Sequence, residues 1–219
     1  MLKTKSQGNN MILGSYNPAC LLSLFGLMAA VGSMILSTSG IIELALVCLI
    51  VAGLADLFDG VLARRLQLSK YEKEFGVQLD TAVDVVAFVA TPVVIGLNTG
   101  QMNWLLILGM VWFVMSGVVR LAHFNTLSIE GDVQATHHRG LPVTYAALIF
   151  PLLFLLVDVL HTEIFQLLLS LAFWLTGLLF IIDIPVRKPH GVFYLIIPLM
   201  ALGLIVYWVG RYMQFYISY

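Results

Sequence analysis

Four aspartates at regular spacings stand out in a chain that carries few other charges. The first two lie in the run Asp56-Leu-Phe-Asp59-Gly60-Val-Leu-Ala63-Arg64, and the other two in Gly76-Val-Gln-Leu-Asp80-Thr-Ala-Val-Asp84. At about 100° per residue, each run places its aspartates on one face of a helix. Carboxylates at the ends of apolar segments are costly to keep there, so they indicate a functional site.

The two acidic faces can converge, because a short connection makes the two helices antiparallel neighbours. Four carboxylates a few ångströms apart cannot all stay ionised unaided, since like charges repel. Divalent cations resolve this repulsion, and oxygen ligands without Cys or His favour Mg²⁺, Mn²⁺ or Ca²⁺ over zinc. Four aspartates could hold two ions, an arrangement that is used for phosphoryl chemistry.

The residues between the aspartates fit a phosphate ligand. Gly60, Ala63 and Gly76 have little or no side chain, so a ligand could approach the backbone. Arg64 can place its planar guanidinium on phosphate oxygens. The alternative is a set of structural salt bridges to Arg64, Arg65 or Lys73, which would explain one aspartate better than four on matched faces.

Composition identifies a membrane protein. Of the 219 residues, 60% are hydrophobic and 11% are charged, against about 25% charged in soluble domains. Net charge is −1, so no attraction to nucleic acid is implied. We predict an all-α, polytopic helical bundle forming a single domain over residues 1–219. Seven apolar segments are long enough to cross a bilayer: 19–36, 41–63, 77–97, 104–121, 141–157, 164–182 and 192–209.

The basic residues predict the orientation. With the N-terminus in the cytoplasm, all but Arg211 of the 11 lysines and arginines fall on the cytoplasmic side. Cytoplasmic loops are enriched in these residues. The sequence therefore predicts a multi-pass protein of the cell membrane whose acidic site faces the cytoplasm.

The string Asp56-x-x-Asp59-Gly60-x-x-Ala63-Arg64, followed by Gly76-x-x-x-Asp80-x-x-x-Asp84, resembles the signature of the CDP-alcohol phosphotransferase family. The resemblance extends over most of the chain. One departure is the stretch of eleven residues between Arg64 and Gly76, which is longer than is usual in that family.

The resemblance implies a mechanism. A CDP-linked lipid binds with its diphosphate on two divalent cations, Mg²⁺ or Mn²⁺, an alcohol hydroxyl attacks the lipid-bearing phosphorus, and CMP leaves. By position, the metal ligands would be Asp56, Asp59, Asp80 and Asp84. Asp84 would also be the general base, and the CDP site would be formed by Asp56, Gly60, Ala63, Arg64 and Gly76. The resemblance also implies a homodimer surrounded by membrane lipids.

Three short motifs bear on the alcohol. Arg120-Leu-Ala-His-Phe-Asn125, Gly140-Leu-Pro142 and Ile184-Pro-Val-Arg-Lys-Pro-His190-Gly191 are similar to the phosphatidylserine synthase branch of the family. This similarity implies CDP-diacylglycerol and L-serine as substrates. Arg120, Asn125 and Arg139 are candidates for the acceptor site, because arginine can clamp a carboxylate. The alternative is that such basic residues contact lipid headgroups as cytoplasmic anchors.

Other functions remain open at this point. Glycerol 3-phosphate or an inositol phosphate could replace serine, but a phosphorylated acceptor should need more basic residues than Arg139 alone in the loop after the fourth span. A cation transporter should carry its carboxylates near span centres rather than at span ends. A non-catalytic lipid-binding scaffold would not need Asp84 in addition to three metal ligands.

Overall fold

A computed structural model of the chain describes residues 13–100, 102–130, 137–183, 185–187 and 193–217. A π-helical segment, Val85–Ala90, joins the third and fourth helices, and a 3₁₀ turn, Val143–Tyr145, leads into the sixth. In chain order the helices are α1 (Pro18–Thr38), α2 (Ile42–Arg65), α3 (Lys70–Asp84), α4 (Thr91–Leu97), α5 (Trp104–Glu130), α6 (Ala146–Phe154), α7 (Thr162–Ile181) and α8 (Phe193–Ile217).

The predicted helical membrane bundle is confirmed. Among the described residues, six helical stretches are long and apolar enough to cross a bilayer: Pro18–Thr38, Ile42–Arg65, Lys70–Leu97, Trp104–Thr126, Thr162–Ile181 and Leu195–Phe215. Helix α1 packs along α2, and α5 packs along α7. Buried apolar side chains of α2, the π-helical segment, α5, α6 and α7 form a single core.

The fifth predicted span, 141–157, contains only a shorter apolar helical stretch, Val143–Phe154. It still passes from one end of the bundle to the other. Thr144 at its start bonds to Asp56 in the second half of α2, and Asp158 after it bonds to Arg211, which also bonds to Glu43 in the first turn of α2. From Glu43 to Asp56, α2 rises about 20 Å, so this segment covers the same depth.

The third span begins earlier than predicted, at Lys70 rather than at residue 77. Ser69 and Glu72 form a capping box, in which Glu72 N donates to Ser69 Oγ (3.3 Å) and Ser69 N donates to Glu72 Oε2 (2.9 Å). Hydropathy does not reveal these polar first turns, whereas the Ser-x-x-Glu pattern does. Most of the long stretch between Arg64 and Gly76 is therefore helix rather than loop.

The third span also changes its winding just after Asp84. The Thr91 backbone N–H donates to the Val86 carbonyl, a π-type bond, and the Thr91 hydroxyl donates to the same oxygen (2.9 Å). Pro92 follows and lacks an N–H, so it cannot take its place in a regular α-helical ladder. Such π-helical turns inside helices are frequent at functional sites.

Two glycine–tryptophan contacts bring α5 and α7 close together. A Cβ on Gly177 would lie 2.7 Å from Trp112 Cδ1, and a Cβ on Gly109 would lie 2.9 Å from Trp174 Cδ1. The two indoles stack at 6.0 Å, and Trp112 Nε1 donates to the Trp174 carbonyl oxygen (3.2 Å). Each glycine therefore makes room for an indole of the opposite helix.

A short antiparallel ribbon, which the sequence did not predict, joins the connections after α5 and α7. Strand β1 (His137–Arg139) pairs with β2 (Pro185–Arg187), with His137 opposite Arg187. Gly140 then turns the chain with φ +75°, and a Cβ there would lie 2.8 Å from the Phe180 carbonyl oxygen. Three-residue strands carry no usable periodicity, so the ribbon adds to the predicted helical bundle.

We expect Gly177→Ala to lower the midpoint of thermal unfolding in detergent. The added Cβ would meet the Trp112 ring at 2.7 Å and Phe113 Cα at 3.1 Å, and overpacking of this kind costs about 1–3 kcal/mol. Gly203→Ala is the matched control, because a Cβ there meets nothing within 4 Å and alanine favours helix. An equal fall in the unfolding midpoint of the two variants would contradict the conclusion that Gly177 is needed for the close approach of α5 and α7.

Candidate active site

Three carboxylates meet where α2 and α3 approach each other. Asp56, Asp80 and Asp84 each place a ligand oxygen within 4.8 Å of the other two. Asp80 and Asp84 lie one turn apart on α3, so their side chains share a face. Asp84 is 8% exposed, and its buried Oδ1 has no hydrogen-bond partner among the described residues. The predicted convergence of the two acidic faces is thus present for these three residues.

Asp56 is oriented from the other side of the cavity. The Thr144 hydroxyl donates to Asp56 Oδ2 over 3.0 Å. Thr144 lies in the 3₁₀ turn before α6, which follows the left-handed Gly140 and Pro142. Thr144 is not among the residues that the sequence predicts for the site, although its turn begins in the Gly140-Leu-Pro142 motif. That motif was the available signal.

Asp59 lies beside the three-carboxylate group rather than in it. The Ser23 hydroxyl of α1 lies 2.5 Å from Asp59 Oδ2 and donates to it, and both side chains are buried. Asp59 lines the same cavity as the other three aspartates. Ser23, which also is not among the predicted site residues, therefore connects α1 to the acidic face of α2.

The carboxylates open into a cavity of about 450 Å³. Polar groups line one part of it, while Ile50, Leu54, Leu148, Ile197 and Ala201 supply an apolar wall from α2, α6 and α8. A cavity with a charged part and an apolar part suits an amphiphilic ligand. The polar lining comprises Asp56, Asp59, Arg64, Asp80, Thr81, Asp84, Arg120, Asn125, Thr144 and Tyr145.

Not every residue predicted for the nucleotide lines this cavity. Gly60 and Arg64 do, and a Cβ on Gly60 would lie 3.6 Å from Arg64 Nη1. Ala63 and Gly76 are half-buried and do not line it. A Cβ on Gly76 would meet nothing within 4 Å, so that backbone faces open space.

Two of the three predicted acceptor residues lie on the cavity wall. Arg120 is 7% exposed, stacks over the Phe124 ring at 4.5 Å, and has no hydrogen-bond partner for Nε among the described residues. Asn125 Oδ1 accepts from the Thr81 hydroxyl over 3.0 Å, which ties α5 to α3. Arg139 is in β1, and its side chain lies outside the described part of the structure.

The cluster of three carboxylates formed by Asp56, Asp80 and Asp84 fits a divalent cation. Its donors are all oxygen, which suits Mg²⁺ or Mn²⁺. Asp84 Oδ1 is buried without a partner among the residues described, and a buried carboxylate oxygen left unpartnered is costly. A cation bound by Asp56, Asp80 and Asp84 would remove that cost.

We expect Mn²⁺ to raise the thermal midpoint of the purified protein and expect Asp80→Asn and Asp84→Asn to lose this response. Ligand binding at 100 times its dissociation constant stabilises a folded protein by about 2.7 kcal/mol. Glu74→Gln is the matched control, because Glu74 is on the same helix, exposed, and paired only with Lys70 among the ion pairs of the described residues. If Mn²⁺ stabilised Asp80→Asn as much as the wild type, Asp80 would be excluded as a metal ligand.

Comparison with known proteins gives a consistent family match. A family model described as CDP-alcohol phosphatidyltransferase matches residues 16–182. The chain is 33% identical over 139 residues to a protein of Methanocaldococcus jannaschii named CDP-diacylglycerol–serine O-phosphatidyltransferase, covering 63% of this chain and 61% of that protein. A Helicobacter pylori protein of the same name is 32% identical over 118 residues, with 52% and 47% covered.

A protein of Methanothermobacter thermautotrophicus named archaetidylserine synthase is 29% identical over 128 residues, covering 58% of this chain and 53% of that protein. The matched part of the chain thus spans between 47% and 61% of the length of these curated relatives.

Proposed function

This chain belongs to the CDP-alcohol phosphatidyltransferase family, and we propose that it transfers the phosphatidyl group of CDP-diacylglycerol to L-serine, forming phosphatidylserine and releasing CMP. The observation that carries the proposal is the cavity in which the carboxylates of Asp56, Asp80 and Asp84 converge beside an apolar wall. The names of the relatives support serine as the acceptor.

We propose that the four aspartates, Asp56, Asp59, Asp80 and Asp84, hold two divalent cations, Mg²⁺ or Mn²⁺. When bound, such ions would neutralise the charge of the diphosphate and the charge that develops during transfer. The all-oxygen donor set supports this assignment. Thr144 and Ser23 support it further, because their hydroxyls fix the carboxylates of Asp56 and Asp59.

The transfer step needs a base for the serine hydroxyl, and Asp84 is the proposed one. With one oxygen of its carboxylate toward a cation, the other oxygen of Asp84 would accept the hydroxyl proton as the serine oxygen forms a bond to the phosphorus that bears the diacylglycerol. The bond from that phosphorus to the bridging oxygen of the diphosphate breaks, and CMP leaves with the electron pair. Arg64 lines the cavity, which supports it as the proposed contact of the diphosphate oxygens.

We assign the other lining residues of the cavity to the two substrates, the lipid and the amino acid. Ile197 and Ala201 of α8 supply apolar surface for the lipid, while Arg120 and Asn125 of α5 lie on the polar part. Arg120 is buried with an unpartnered Nε, so it is the proposed partner of the serine carboxylate.

The proposed active site faces the cytoplasm of the cell membrane, where serine and CMP can exchange. Supporting this orientation, Arg64, Arg65 and Lys70 lie at the end of the bundle that holds the carboxylates, in agreement with the enrichment of basic residues on the cytoplasmic side. We also propose a homodimer, on the basis of the family alone.

The direct test is release of CMP from CDP-diacylglycerol by the purified protein with Mn²⁺ or Mg²⁺, comparing L-serine, glycerol 3-phosphate and inositol phosphate. We expect release that requires both metal and L-serine. Asp84→Asn should lower kcat about 10²–10⁴-fold, the usual contribution of a general base, while Glu74→Gln should retain activity. If CMP were released only with a phosphorylated acceptor, serine would be refuted as the acceptor. If no acceptor led to CMP release, the proposed transferase activity would be refuted.

We expect Arg120→Gln to raise the KM for L-serine about tenfold or more and to leave the KM for CDP-diacylglycerol nearly unchanged. A hydrogen bond to a charged group is worth about 1.5–3 kcal/mol, which corresponds to this range. Arg65→Gln is the control, because Arg65 is exposed at the end of α2 and does not line the cavity. Equal changes in both KM values would assign Arg120 a structural role instead.

A further inference from the structure

A second polar cavity lies at the opposite end of the bundle from the carboxylate site. It measures about 220 Å³ and is bounded by the start of α2, the segment around Asp158, the start of α7 and the last part of α8. Glu43 on its wall and Asp56 in the catalytic cavity are separated by about 20 Å along α2. The two cavities share no lining residue.

The charged groups of this outer cavity leave an excess of negative charge. Arg211 Nε donates to Glu43 Oε1 over 3.3 Å, and the two terminal nitrogens of Arg211 bond to the Asp158 carboxylate. One guanidinium thus faces two carboxylates. Arg211 also lies over the Trp208 ring at 5.5 Å, so its guanidinium is contacted by an aromatic ring as well as by the two carboxylates.

Two buried polar atoms on the same wall lack partners. Gln166 is 3% exposed and Trp208 is 1% exposed, and neither Gln166 Oε1 nor Trp208 Nε1 has a hydrogen-bond partner among the described residues. Gln166 Nε2 donates to the Thr99 hydroxyl over 2.9 Å, which leaves the amide oxygen as the free end. Unpartnered buried polar groups cost free energy, and both residues line the outer cavity, so each atom needs a partner that the described residues do not supply.

We infer that the outer cavity binds a primary ammonium group with a phosphate oxygen close by, the chemistry of a phosphoethanolamine headgroup. Gln166 Oε1 and the Glu43 carboxylate would accept from the ammonium, and Trp208 Nε1 would donate to the phosphate oxygen. A quaternary ammonium has no N–H to donate, so a choline headgroup would leave Gln166 Oε1 unpartnered. The excess negative charge selects against a purely anionic ligand.

Two lining residues of this site lie outside the region that defines the family, while the other lining residues, Glu43 and Gln166 among them, lie within it. The family match ends at residue 182, whereas Trp208 and Arg211 belong to α8. The outer cavity therefore depends on a helix outside the matched region, and its occupation does not depend on the proposed reaction. The ligand could be a lipid headgroup in the opposite leaflet or a free phosphorylated amino alcohol.

The test measures binding of dioleoyl phosphatidylethanolamine and dioleoyl phosphatidylcholine to the full chain by native mass spectrometry. We expect the wild type to bind the ethanolamine lipid about tenfold more tightly or better, since a hydrogen bond to a charged group is lost with choline. Gln166→Met should reduce this preference, because the Glu43 carboxylate would then be the one remaining acceptor proposed for the ammonium. Trp208→Phe should weaken the binding of both lipids, because it removes the N–H that would donate to the phosphate that both lipids carry.

Trp104→Phe is the matched control, because Trp104 is 77% exposed on α5. This variant should bind both lipids as the wild type does. Trp208→Phe keeps an aromatic ring, so it decides the matter if Gln166→Met does not fold. O-Phosphoethanolamine in solution distinguishes the sources: competition with the lipid would show that the headgroup alone suffices, and binding of lipid without competition would show that membrane anchoring is needed. Equal binding of the two lipids by the wild type, or unchanged binding in both variants, would overturn the inference.

Discussion

The position of three carboxylates inside an apolar helical bundle is the constraint on which the rest of the structure depends. Charged groups so placed are costly unless paired with cations or hydrogen-bond donors. Two elements outside α2 and α3 help to meet this cost: Thr144 of the 3₁₀ turn donates to Asp56, and Ser23 of α1 donates to Asp59 beside the group. Residues from distant parts of the chain therefore hold two of the aspartates that line the cavity.

The sequence predicts the local part of this site and not the distant part. The spacing of Asp56, Asp80 and Asp84 places them on two helix faces because helical periodicity is a local property. Thr144 and Ser23 reach the aspartates across 88 and 36 positions of the chain. A threonine or serine in an apolar segment does not by itself indicate a distant partner. The Gly140-Leu-Pro142 motif marks the neighbourhood of Thr144 but not its bond to Asp56, so the packed structure is needed to identify both residues.

The positions of the membrane spans are likewise predicted better than their boundaries. Hydropathy locates apolar stretches but does not measure helix length, so it starts the third span at residue 77, although the capping box at Ser69 begins the helix at Lys70. It also predicts a full fifth span where the structure has a helix ending at Phe154 followed by turns. The ribbon between β1 and β2 depends on pairing between residues far apart in the chain, which no local pattern specifies.

The interior of α2 bears on the choice between an enzyme and a cation transporter. Glu43 lies in the first turn of this helix and Asp56 lies in its second half, and the turns between these two carboxylates are packed in the core. Leu46 and Leu49 are fully buried there. The Ser33 hydroxyl near this level is already satisfied, since it donates to the Ala45 carbonyl over 2.7 Å. An ion crossing the bundle along α2 would meet this apolar layer, where an unpaired charge is unfavourable. This apolar layer thus disfavours passage of an ion along α2 and favours the enzyme over the transporter.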